Sequence, residues 1–102
     1  MKKIINGKLY DTETAKLVGE YDNGCSYSDF HYMSEELYLK KTGEFFKYGT
    51  GGAMSRYNKE CGFNEWTGGD DIIPLTEEEA KEWAELHIDA DGYMELFGEV
   101  EE

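Results

Sequence analysis

The sequence predicts an α+β fold: a small antiparallel sheet built from hairpins, with one main C-terminal helix packed on one of its faces. Three observations carry this expectation. Asn6-Gly7 separates the short apolar stretches Ile4-Ile5 and Leu9-Tyr10. Thr42-Gly43 separates Glu36-Leu37-Tyr38-Leu39-Lys40 from Glu44-Phe45-Phe46-Lys47-Tyr48. Thr76-Glu77-Glu78-Glu79 opens a segment whose apolar residues recur at helical spacing.

Asn-Gly is a strong hairpin signal because both residues tolerate the positive φ of a type I′ turn. A two-residue turn pairs Ile5 with Lys8 and Ile4 with Leu9. Asp11-Thr12-Glu13-Thr14-Ala15 reads as a turn or short helical start, and Lys16 to Tyr21 as a third strand closed by Asp22-Asn23-Gly24. Tyr27, Phe30 and Tyr32 offer a weak strand continuation. With Thr42-Gly43 as the loop of the next hairpin, Leu39 faces Phe46 and Leu37 faces Tyr48. Tyr38, Lys40, Phe45 and Lys47 then share the opposite, partly solvated face. Gly49-Thr50-Gly51-Gly52 should break that strand. Residues 53–71 show no clean period and read as a loop with Trp66 folded onto the core, before the extended Ile72-Ile73-Pro74.

The helix is the clearest element. Thr76 and Glu79 form a capping box, Leu75 and Ala80 are placed for a hydrophobic staple, and three glutamates suit the positive end of the helix dipole. It should run from Glu77 to about Ile88, with Asp89-Ala90-Asp91-Gly92 ending it. Tyr93, Met94 and Phe97 fit one further short turn. At 100° per residue Ala80, Trp83, Ala84 and His87 form the packing stripe, and Glu78, Glu82, Glu85 and Asp89 line the opposite side over about 16 Å.

The 102 residues fit one domain, 1–102, with 99–102 as a solvated tail. No apolar run approaches bilayer length, and Asn6-Gly7-Lys8 interrupts a leader-like start after two apolar residues. A cytoplasmic protein is expected, in which Cys25 and Cys61 are reduced thiols. The net charge is −13, and it is unevenly placed. Residues 1–59 hold nine Lys/Arg against eight Asp/Glu, whereas residues 60–102 hold Lys81 against fifteen Asp/Glu. Such a field repels nucleic acid and acidic membranes and attracts basic protein surfaces.

Catalytic and metal motifs fail on spacing. With Gly92 as the sixth position of a calcium loop, the first would be His87 and the twelfth Gly98, neither supplying the required oxygen. Gly49-Thr50-Gly51-Gly52 lacks the Lys-Ser/Thr of a phosphate loop. Cys25, Cys61, His31 and His87 show neither zinc-finger spacing nor a local nucleophile–base pair. No catalytic residue, cofactor or metal is therefore expected. Like charges at i,i+4 cost about 0.2–0.5 kcal/mol each, so the row Glu78, Glu82, Glu85 and Asp89 is either an ordinary solvated face or a phosphate-backbone mimic. Asp70 and Asp71 before the helix, with Glu95 and Glu99 after it, enlarge the same field. The mixed face carrying Tyr38 and Phe45 is the alternative contact surface.

Three runs, KKIINGKLYDTETAKLVGEYDNG, EELYLKKTGEFFKYGTGG and IIPLTEEEAKEWAE, resemble small proteins carried by phages and conjugative elements of Firmicutes. Some of these are similar to type II anti-CRISPR inhibitors. The resemblance implies binding to the Cas9 nuclease of the host and interference with guide-RNA loading or DNA entry. It assigns no individual residues. A regulatory module using the sheet face and a small enzyme promoting guide-RNA cleavage are the competing functions.

Overall fold

A computed structural model describes all 102 residues. The fold is α+β. A hairpin of β1 (Lys2–Ile5) and β2 (Lys8–Asp11) precedes β3 (Lys16–Asp22), β4 (Met33–Leu39) and β5 (Phe45–Gly51). A second small hairpin, β6 (Lys59–Gly62) and β7 (Glu65–Thr67), leads into β8 (Gly69–Leu75). Helices α1 (Glu77–His87) and α2 (Ala90–Phe97) complete the chain. Strands β3, β4, β5 and β8 form the main sheet in that order, every neighbour antiparallel.

The sheet is covered on both faces. Leu37 and Phe45 pack against Ala80 and Trp83 of α1, with Val18, Leu39, Leu75 and Phe97 around them. On the other face Tyr38, Phe46 and Ile72 pack against Tyr10 of the N-terminal hairpin, with Ile5 and Ala15 at the margin. Tyr38 stacks on Phe46 at 5.2 Å, and Tyr10 meets Phe46 edge-on at 5.5 Å. The first hairpin has the expected register, Ile4 opposite Leu9 and Ile5 opposite Lys8. Asn6 and Gly7 adopt φ values of 51° and 76°, as the type I′ turn requires. The layer it forms turns Ile4 and Leu9 outward and buries Tyr10.

The β4–β5 register departs from expectation by one residue. Leu39 pairs with Phe45, Tyr38 with Phe46 and Leu37 with Lys47. Lys40 and Glu44 close the hairpin around a three-residue loop, Lys41-Thr42-Gly43, in which Gly43 has φ 89°. A positive-φ glycine in third place favours this longer loop over a two-residue turn. Because side chains alternate with a period of two, the shift changes which of them share a face. Tyr38 and Phe45 therefore lie on opposite faces, each 8% exposed. They form no common surface.

Three further expectations are corrected. The Gly-rich stretch does not break β5, which continues to Gly51, and Asp70-Asp71 belong to a seven-residue strand rather than a loop. Pairing with β5 supplies the order that the local sequence lacks, and Pro74 is tolerated because β8 is an edge strand. Trp66 lies on the small hairpin and is exposed, not folded into the core.

The C-terminal half of the expectation holds for α1. Its capping box is complete: Glu79 N–H donates to Thr76 Oγ1 at 3.1 Å and Thr76 N–H to Glu79 Oε1 at 2.9 Å. The Ala80, Trp83 and Ala84 stripe is buried. Asp89, by contrast, has left the α1 row. Ile88 is extended, and Asp89 caps α2 by accepting from Gly92 N–H at 2.8 Å. The segment expected to hold a single short turn is an eight-residue helix.

Candidate functional site: the acidic helix face and the Glu35 cluster beneath it

The outward face of α1 carries Glu78, Glu82 and Glu85, all exposed and none within ion-pairing distance of a cation of this chain. The seven steps of helix from Glu78 to Glu85 correspond to about 10 Å at 1.5 Å per residue. Lys81, the only helix cation, reaches Glu77 at 3.6 Å instead. The remaining ion pairs lie elsewhere. Lys3 meets Asp71 at 2.7 Å and Lys59 meets Asp70 at 3.6 Å, while Lys8 and Lys40 flank Glu44.

Asp70 and Asp71 are consequently engaged within the protein. Asp70 also accepts from the Tyr48 hydroxyl at 2.9 Å, and Asp71 from its neighbour's N–H, that of Ile72, at 2.9 Å. The Lys3 ammonium holds the Asp71 carboxyl below its ordinary pKa, against the opposing effect of burial. Of the residues singled out by sequence, then, Glu78, Glu82 and Glu85 form one exposed anionic row, with Glu95 and Glu99 exposed beyond it. Asp89 caps a helix, Asp70 and Asp71 are partnered, and Tyr38 and Phe45 belong to the two cores.

Directly beneath the helix lies a cluster that the sequence reading missed. Glu35, 2% exposed, receives the Tyr57 hydroxyl and the Trp83 indole N–H, the latter at 3.1 Å. Lys47 Nζ lies 3.2 Å from its carboxylate and the exposed Arg56 3.8 Å away. Burial pushes the Glu35 pKa up, but the Tyr57 hydrogen bond, the Lys47 charge and the Trp83 indole together hold it below the ordinary value. Glu35 is thus an anion at neutral pH with both oxygens occupied by internal donors. That arrangement fastens β4, β5, α1 and the 53–58 loop together. Burial, then the Glu35 hydrogen bond, drive the Tyr57 pKa far above that of a free phenol.

A signal for this cluster was present in the sequence. Glu35 shares strand parity with Leu37 and Leu39, and a Trp on an apolar helix stripe needs an acceptor for its N–H. Neither points to the other without knowledge of which strand lies under the helix.

His87 sits at the edge of the same cluster, its ring 3.9 Å from that of Tyr21 and 5.0 Å from Trp83. Burial pushes its pKa below the usual imidazole value. Glu35 opposes this, and Lys47 and Arg56 reinforce it. A folded-state pKa below the unfolded one means that the His87 contribution to stability is present above about pH 6.5. It is lost as pH falls through the folded value. The urea midpoint should therefore decline between pH 7 and 5, and His87→Phe, which keeps a ring but cannot titrate, should flatten that slope. An unchanged slope in the variant would remove His87 as its source.

No group of three or more His, Cys, Asp or Glu side chains is arranged to hold a metal ion, and no helix is long and apolar enough to cross a membrane. Cys25 and Cys61 are free thiols. Comparison of the chain with protein-family models, with curated proteins and with solved structures finds no match.

Proposed function

We propose that this chain is a non-catalytic binding protein that presents the acidic face of α1 to a basic, polynucleotide-binding groove of a partner protein. The observation that carries this reading is the exposed Glu78, Glu82 and Glu85 row, left without an internal cation while seven of the chain's ten Lys and Arg side chains pair elsewhere or with Glu77. Lys2, Lys16 and Lys41, the three cations outside those pairs, all lie in the N-terminal half. Grouped carboxylates repel one another, and a complementary cationic groove relieves that repulsion on binding. On the resemblance read from the sequence, the partner we propose first is Cas9, with guide-RNA loading or DNA entry as the step blocked.

The test is the triple variant Glu78→Lys, Glu82→Lys, Glu85→Lys, with its fold checked by circular dichroism. Affinity for guide-free Cas9 should fall by roughly tenfold or more, and wild-type affinity should drop steeply with added salt. Guide RNA added first should exclude the wild-type chain if loading is the blocked step. Undiminished binding by a folded triple variant would defeat the proposal.

A further inference from the structure

A second surface lies at the end of β5 remote from the Lys41-Thr42-Gly43 turn. There an open cleft of about 550 Å³ is walled by Tyr27, Phe30 and Tyr32 from the loop after β3, by Tyr48 of β5 and by Trp66 of β7. Tyr27 is 86% exposed, Phe30 66% and Trp66 55%. Grouped exposed aromatics are unusual on a monomeric surface and mark contact sites. The Tyr27 and Tyr32 rings stand 5.3 Å apart at 57°, so they are not stacked into a closed pair.

These rings project from a fastened frame. Gly52 N–H donates to Tyr32 C=O at 2.8 Å and Met54 N–H to Phe30 C=O at 2.8 Å, tying the aromatic loop to the segment after β5. Asn23 bridges the loop's ends, its Nδ2 donating to His31 C=O at 2.7 Å and its Oδ1 accepting from Met33 N–H at 3.2 Å. Ser55 Oγ donates to Gly52 C=O and accepts from Tyr57 N–H on the other side.

The charge of the cleft decides its occupant. Its charged lining residues are Asp29 and Asp70, and no Lys, Arg or His lines it; Asp70 is already met by Lys59 at 3.6 Å, so Asp29 is the lining carboxylate without an internal cation. Aromatic faces carry negative potential, so rings with carboxylates beside them attract a cation and disfavour anions such as phosphate. Guanidinium suits this arrangement better than ammonium, being planar, weakly hydrated and able to stack on a ring while donating to a carboxylate. We propose that this cleft receives an arginine side chain from an extended segment of a protein partner. The site is independent of the α1 face: it draws on different residues and a different mode of recognition.

The experiment uses the intact chain and three short capped peptides that differ at one central position, arginine, lysine or neutral citrulline. Binding is followed by ¹⁵N–¹H shifts. The arginine peptide should move the Trp66 indole and the backbone signals of residues 27–32, the lysine peptide less so, and citrulline least. Trp66→Ala and Tyr27→Leu, both at exposed positions, should weaken arginine-peptide binding by roughly three- to thirtyfold. The α1 triple variant should retain the response at Trp66. Equal shifts from arginine and citrulline would overturn the proposal. So would shifts confined to α1, or loss of the Trp66 response in the α1 variant, because each would reduce the effect to general attraction by an acidic protein.

Discussion

Replacing Glu35 with alanine is expected to destabilise the protein by about 3–5 kcal/mol, the usual cost of removing one partner from a buried ion pair. Three groups lose their acceptor together: the Tyr57 hydroxyl, the Trp83 indole N–H and the largely buried Lys47 ammonium. Each is held where water has poor access, so the desolvation already incurred is no longer offset. Urea denaturation followed by far-UV circular dichroism measures the loss directly. The double variant Glu35→Leu, Lys47→Leu should recover part of it, since the orphaned charge goes while apolar volume is restored. A loss below about 1 kcal/mol for Glu35→Ala would show that the cluster is a bystander to the packing of α1.

The same cluster has an acid limb. The folded-state pKa of Glu35 lies below the unfolded value, so its contribution is complete above the unfolded pKa near 4.5 and disappears as pH falls through the folded one. This window lies below the one assigned to His87, and the two are separable in a single pH series.

Gly49→Ala should be nearly as damaging, for a steric reason. Gly49 lies directly opposite Glu35 on the neighbouring strand, and Tyr57 packs over it at 4% exposure. An added Cβ would collide with the Tyr57 ring and hydroxyl. The ring must leave, and it takes the Glu35 hydrogen bond with it. Overpacking costs about 1–3 kcal/mol and an orphaned buried group about 1–3 kcal/mol more. The expected signature is a lowered urea midpoint together with a Tyr57 side chain that becomes accessible to solvent. Gly43→Ala, in the open turn, should cost less, because there the penalty is conformational alone. A stable Gly49→Ala protein with Tyr57 still buried would contradict the packing described for this loop.

The parts of the fold that were legible in the sequence are those specified over a few residues. Asn6-Gly7 dictated both the turn and the register of β1 with β2. Thr76 and Glu79 set the start of α1 through reciprocal hydrogen bonds spanning three residues, and the spacing of Ala80, Trp83 and Ala84 identified the face that packs. Glu78, Glu82 and Glu85 could be assigned to the opposite face for the same reason. Asp89 could not, because its position depends on where α1 stops, and Ile88 is extended and packs against the core under α1.

Other features depend on pairings between distant segments. Asp70 and Asp71 look like turn residues locally, yet β5 draws them into a strand. One extra loop residue beside Gly43 exchanged the faces of Tyr38 and Phe45. The aromatic cleft assembles rings from residues 27–66, and no local signal in either flanking segment announces that the β4–β5 hairpin between them brings the two together.

By itself, the amino-acid sequence determined the class of fold, the main helix with its apolar and acidic sides, and the concentration of negative charge in the C-terminal region. Each of these follows from local backbone preferences or from simple residue counts. Only the tertiary structure decided that Glu35 is buried among Tyr57, Trp83 and Lys47, and that the chain's own lysines neutralise Asp70 and Asp71 but not the α1 row. The physical reason is range: burial and ion pairing depend on which side chains meet across sheet and helix, and strand register, sensitive to a single residue of loop length, governs those meetings.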